Sequence, residues 1–169
     1  MQPDNPSKIT ILSDGSVYSI LAIQHAVDKL IRSTDLVYLV HARYCDCSGH
    51  RPARTYTYHC CGLDMDCFDT SHFDCEQQAR TVVKTSLAPL AHHANVKIVE
   101  IQQKREAPAA HVLYNTIRHI GPDVVVMSAN GLGHQQRIQL GMLYLEKHPI
   151  GSTAMYLLEH LPYTMLLVK

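Results

Sequence analysis

Charge is scarce in this chain. Only 18% of its 169 residues are Asp, Glu, Lys or Arg, against roughly a quarter in an average globular domain. Neither sign dominates: fifteen basic residues face fifteen acidic ones. That balance excludes the electrostatic footprint of a protein that reads DNA, RNA or an anionic membrane. Apolar runs stop short of the roughly 18 residues that a membrane span requires. The opening stretch Met-Gln-Pro-Asp-Asn-Pro-Ser-Lys lacks the apolar core of a secretory signal. Together these two absences set the expectation of a cytoplasmic protein. Internal repeats and low-complexity tracts are missing too, and so is any Cys-x-x-Cys pair, the spacing that makes a zinc ribbon convincing.

What is present points to one domain, residues 1–169. Hydrophobic residues make up 46% of the chain, and a chain of this length buries roughly 70% of the surface its unfolded form exposes. No staple is needed for stability. Twelve histidines stand out. They make the net charge positive as the pH falls below about 6.5.

Residues 8–12 form a short β-type run that stops at Ser13-Asp14-Gly15-Ser16. Helical spacing follows, with Val17, Ile20, Leu21, Val27 and Ile31 on one face. A second β run, residues 36–40, ends at His41-Ala42. Strand, polar turn, helix, strand is the βαβ unit of a parallel sheet. Residues 43–75 break the rhythm and read as an insertion. From Glu76 the helical pattern returns through Ala79, Val82, Val83, Ser86, Leu87 and Leu90, and Pro89 is expected to kink or end that helix. Residues 96–101 are the third strand. Ala109, Val112, Leu113, Thr116, Ile117 and Ile120 then form the cleanest amphipathic face, opening after Pro108 and closing at Gly121-Pro122. Val124, Val125, Val126 and Met127 make a wholly apolar fourth strand, as a strand covered on both faces should be. A second insertion, 132–150, leads to Gly151-Ser152-Thr153, a helix carrying Ala154, Leu157, Leu158 and Leu161, and a last strand over 165–168. The pattern predicts a doubly wound α/β fold, a five-stranded parallel sheet sandwiched by helices.

In such sheets ligands bind outside the carboxyl ends of the strands, where the strand order reverses. Asp14 follows the first strand and Ala42 the second. Met127, Ser128, Asn130 and Gly131 stand at the end of the fourth, and Gly151, Ser152 and Thr153 open the last helix. Glycines and small residues let a backbone approach phosphates, and free N–H groups at a helix start favour an anion. A carboxylate across the crevice suits a ribose or an adenine edge. His41 beside this crevice is expected to be packed and hydrogen-bonded, without a catalytic task. His92-His93, at a helix end, complement the dipole there.

These residues resemble a known pattern, that of the universal stress proteins. In that family the first strand ends in an aspartate that faces adenosine, as Ile11-Leu12-Ser13-Asp14 does. The second ends in a histidine and a small residue, as Val40-His41-Ala42 does. The late signature, Gly-x-x-Gly, about nine residues, then Gly-Ser/Thr, is matched by Ser128-Ala129-Asn130-Gly131 and Gly151-Ser152. Leu161-Pro162 and residues 165–168 fit the turn and strand that end the family's domain. The sequence departs from the family at Ser128, where it has glycine, and in a spacer about ten residues longer. Serine there would either crowd the phosphates or donate a hydrogen bond to them.

The resemblance implies a Rossmann-like fold and an ATP or AMP site at Asp14, Ala42, Met127, Ser128, Asn130, Gly131, Gly151, Ser152 and Thr153, with magnesium as an accompanying ion. It also implies a homodimer through the carboxyl-terminal strand and a regulatory role in stress response. Hydrolysis would be slow at most, because no general base or arginine pair is aimed at a γ-phosphate. Two alternatives stay open. One is an adenylating enzyme of a related α/β fold, although its Ser-Gly-Gly-x-Asp-Ser loop is poorly matched by Ser-Asp-Gly-Ser-Val. The other is a homodimer that has lost the nucleotide. The first insertion adds a further candidate: Cys45, Cys47, Cys60, Cys61, Cys67 and Cys75 lie near His50, His59 and His72, enough donors for a structural zinc, against a loop of free thiols.

Overall fold

The computed structural model describes residues 5–44, 70–93, 95–103, 108–131 and 150–169. Among these residues five strands alternate with four helices: β1 (Lys8–Leu12), α1 (Val17–Lys29), β2 (Leu36–Tyr44), α2 (Thr70–Leu87), β3 (Val96–Gln103), α3 (Ala109–Ile120), β4 (Val124–Ser128), α4 (Ser152–His160) and β5 (Thr164–Val168). A 3-10 turn, Ala88–Leu90, follows α2 and carries Pro89. All pairings are parallel, and the strand order is β3-β2-β1-β4-β5.

That order explains the composition of the strands. β1 and β4 lie inside the sheet with both faces covered, and all but the first residue of each is buried. Alternate residues feed two cores. Ile9, Ile11, Val37, Leu39 and Val126 pack with Ile23 and Ala26 of α1 and Leu90 of the 3-10 turn. Leu12, Val40, Val125 and Met127 pack with Leu113 and Ile117 of α3 and Ala154 and Leu157 of α4. Two helices per face, with the order reversing beside β1, is the doubly wound arrangement that right-handed crossovers give.

The helices start and stop where local chemistry requires. Ser16 caps α1, its hydroxyl accepting the Ser19 N–H at 3.1 Å. Pro108 precedes α3, and Gly121 ends it in the left-handed region, φ 61°, with its N–H donating to the Ile117 carbonyl. The Lys8 ammonium adds a donor to the Ile120 carbonyl at 3.2 Å.

Several boundaries differ from those expected. β2 continues through His41 and Ala42 to Tyr44, pairing with β3 as far as Gln103. α2 begins at Thr70, well before Glu76. Within the expected insertion 43–75, Arg43 and Tyr44 thus belong to β2 and residues 70–75 to α2. The zinc candidates lie outside the described residues, since nothing is described of Cys45, Cys47, Cys60, Cys61 or Cys67, nor of the Cys75 side chain. Among the described residues no group of three or more His, Cys, Asp or Glu could hold a metal ion, and no helix is long and apolar enough to cross a membrane.

Candidate functional site

The order of strands reverses between β1 and β4, because β2 lies beyond one and β5 beyond the other. The crevice at their carboxyl ends is built from three backbone segments. The first is the loop after β1. The Ser13 N–H donates to the Val40 carbonyl at 3.0 Å, extending the ladder one residue past Leu12. The chain then turns through Gly15, whose φ of 78° suits glycine. Asp14 folds back over its own turn, one carboxylate oxygen accepting the Ser16 N–H at 3.0 Å.

The second segment is the end of β4. Ser128 is its last residue, and its side chain is buried. The hydroxyl donates to the Asn130 carbonyl two residues on, so it braces the turn. Its one hydrogen is directed at the loop's own carbonyl. Met127 sends its side chain into the α3/α4 core. Gly131 ends the turn directly opposite Asp14, and a Cβ built on it would collide with the Asp14 carboxylate. Sequence distance separates these two residues, yet they touch across the crevice.

The third segment is the start of α4. Gly151, with extended backbone, precedes Ser152, the first helical residue. Its N–H donates to the Ala129 carbonyl at 2.8 Å, and Ala129 in turn donates to the Val168 carbonyl at 2.8 Å. The helix is therefore tied to the β4 turn and, through it, to β5. Among the described residues no side chain caps α4, and its first turn holds no acidic residue. The N–H groups at Ser152, Thr153 and Ala154 precede any intrahelical partner. They form the electropositive wall of the site.

Ala42 stands on β2 beyond the end of β1, half-buried against the α3/α4 core. His41 beside it is buried, its Nδ1 lying 2.8 Å from the Ser13 carbonyl. A carbonyl only accepts, so Nδ1 carries the proton. His41 is thus the packed, hydrogen-bonded histidine expected, and it fixes the root of the Asp14 loop.

Sequence reasoning missed a second layer beneath that loop. The hydroxyls of Ser13, Ser19 and Ser86 are buried together, with Ser13 lying 3.1 Å from Ser19 and 2.7 Å from Ser86. Ser13, Ser16 and Ser19, three apart where β1 turns into α1, carried a signal that could have been read. Ser86 carried none, because it reads as one more position on a helix face.

No family model matches the sequence, and no curated protein does. Solved structures do match. The universal stress protein UspA from Lactobacillus plantarum is 18% identical, with a TM-score of 0.63 over 99% of this chain and 100% of its own. A universal stress protein family protein from Arabidopsis thaliana with AMP bound is 13% identical, with a TM-score of 0.55 over 97% of this chain and 92% of its own. The universal stress protein from Archaeoglobus fulgidus in complex with dAMP is 10% identical, with a TM-score of 0.53 over 97% of this chain and 98% of its own. The chain has the Rossmann-like α/β fold of the universal stress proteins, along nearly its whole length.

Proposed function

We propose that this protein binds an adenine nucleotide across the crevice between β1 and β4 and acts as a regulatory protein of stress response. One observation carries the reading. At the strand-order reversal a carboxylate, a glycine turn and an uncapped helix start converge: Asp14 lies against Gly131, and Gly151 is tied to Ala129. In this reading Asp14 accepts from the nucleoside, Ala42 and the backbones of Met127, Ser128 and Asn130 line it, and Gly131, Gly151, Ser152 and Thr153 receive the phosphates. Proteins of this fold have been solved with AMP and with dAMP, which supports the adenine class. ATP would bring magnesium with it. The dimer belongs to the same reading, with β5 as its contact, and so does a cytoplasmic location.

The alternative of an adenylating enzyme finds little support in the loop after β1. Ser13 and Ser16 point their hydroxyls into the fold, toward Ser86 and the Ser19 N–H, and only Gly15 there has a positive φ. Thermal unfolding with and without ATP and magnesium tests the proposal against a nucleotide-free scaffold. At a hundred times its dissociation constant a ligand stabilises by about 2.7 kcal/mol. An unchanged unfolding temperature at millimolar ATP and AMP overturns it.

A further inference from the structure

The loop that carries Asp14 rests on α2. Ser86, in the last turn of that helix, is fully buried, and its hydroxyl lies 2.7 Å from that of Ser13. One turn earlier Val82 packs against Gly15. A Cβ on Gly15 would lie 2.9 Å from one γ-carbon of Val82 and nearer still to the other. The two contacts are a helical turn apart, so a single face of α2 grips two of the three residues Ser13-Asp14-Gly15.

The direction of the hydrogen bonds follows from counting protons. The Ser19 hydroxyl donates its one hydrogen to the Ser16 carbonyl at 2.9 Å, so toward Ser13, 3.1 Å away, it accepts. Ser13 therefore spends its own hydrogen on Ser19. The two lone pairs of Ser13 remain. One accepts the Gly15 N–H at 3.3 Å, and the other accepts from Ser86. The chain runs Ser86 to Ser13 to Ser19 to the Ser16 carbonyl, and it leaves Ser13 saturated.

Apolar side chains would fill this space at lower cost, because a buried hydroxyl must be paired to be tolerated. What hydroxyls add is direction. They orient the Gly15 N–H, and with it the turn from which the Ser16 N–H reaches the Asp14 carboxylate. We infer that Ser86 and Val82 are positioning residues that let α2 set the placement of Asp14, and so the shape of the crevice. The inference deepens the nucleotide reading and rests on it for its effect on ligand.

Two measurements on the full chain decide it. The first is amide hydrogen exchange without ligand, followed by NMR. In Ser86→Ala the amides of Gly15 and Ser16 exchange about tenfold faster, while that of Val125 in the sheet centre keeps its parent rate. The second is calorimetric titration with ATP and magnesium. Affinity falls about three- to tenfold in Ser86→Ala, and adding Ser86→Ala to Ser13→Ala changes little further, since both act through one contact. Should Ser86→Ala fail to fold, Val82→Ala opens the space under Gly15 and is expected to act in the same sense. Unchanged exchange at Gly15 and Ser16 overturns the inference. Faster exchange with unchanged ATP affinity overturns it as well, because the order of the loop would then not matter to the site. A parent that binds no ATP refutes the nucleotide reading, and the exchange measurement still decides whether α2 holds the loop.

Discussion

At Gly131 the space that a side chain would take is already filled by the Asp14 carboxylate. Gly131→Ala therefore pushes Asp14 away. The colliding atom belongs to a carboxylate that the Ser16 N–H holds at 3.0 Å, so moving it should cost the fold about 1 kcal/mol. Affinity for ATP should fall about tenfold, as it should in Asp14→Ala; calorimetric titration of both, beside a urea melt, checks the pairing. Equal affinity in both variants and parent would place the site elsewhere. Thr10 offers the opposite case. It is fully buried at the centre of β1, and its hydroxyl finds no partner among the described residues. Thr10→Val keeps the shape and removes the unpaired group, and it should raise stability by about 1 kcal/mol. The urea midpoint should rise with an unchanged slope, and a fall would show that the hydroxyl is satisfied. Asp14, Gly131 and Gly151 were legible in the sequence because each follows a strand or opens a helix, where the chain must turn. The pairing of Ser13 with Ser86 was not. The partners are 73 positions apart, and nothing in a helical face distinguishes a hydroxyl that meets another from one that meets solvent.

Among the elements, strand interiors and helix faces were legible and their ends were less so. The apolar run of β4 and the α3 face between Pro108 and Gly121 emerged as read, since burial on two faces or one dictates the pattern. β2 outran its apolar stretch because the parallel ladder is made by backbone groups. Arg43 and Tyr44 pair with Gln102 and Gln103 although none of the four continues an apolar run. α2 outran its pattern likewise, since Thr70 to Cys75 lack the repeating apolar positions that mark a buried face. At the opposite end of the sheet, one carboxylate joins three elements. Asp35, just before β2, accepts from the Ser7 N–H ahead of β1 and from the Arg32 N–H after α1, both at 2.9 Å, and pairs with the Arg32 guanidinium at 3.1 Å. Burial alone would raise its pKa. The two backbone donors and Arg32 outweigh that, and hold it below the ordinary carboxylate value. A depressed folded pKa contributes stability that is present above the unfolded value, near about 4, and lost as the pH falls through the folded one. Asp35→Asn should therefore cost about 2 kcal/mol at pH 7. The gap between variant and parent should narrow once the pH falls below about 4 and close as it passes the lower folded value. Urea melts from pH 7 to 3 measure it, and a gap that stays constant would show that the charge of Asp35 is not what matters.

For the whole molecule, the alternation of strands and helices was enough to give a parallel sandwich, but the strand order needed more than periodicity. The parallel ladders fix it as β3-β2-β1-β4-β5. That order leaves β5 at an edge among the described residues, which is where the dimer reading makes its demand. The Ala129 N–H donates to the Val168 carbonyl, so Val168 directs its backbone groups at β4, and by alternation so do Leu166 and Thr164. Met165 and Leu167 direct theirs outward. Their side chains pack on the α3/α4 core, whereas Leu166 packs on the α1 side, and all three remain half-buried rather than covered. An apolar edge of this kind invites pairing. In a C2 dimer the same strand of each protomer meets its antiparallel copy, and the half-buried faces on both sides of the sheet are extended across the junction. The outward N–H at position 167 is then a ladder donor, while that at 166 already serves β4. Leu167→Pro should dissociate the pair. Gly131→Ala, in the turn after β4 and off the outward edge of β5, should leave it intact. Light scattering at micromolar concentration should give twice the chain mass for the parent and for Gly131→Ala, and a single chain mass for Leu167→Pro, with circular dichroism confirming that the sheet survives. A monomer mass for the parent would end the β5 dimer whatever the nucleotide does.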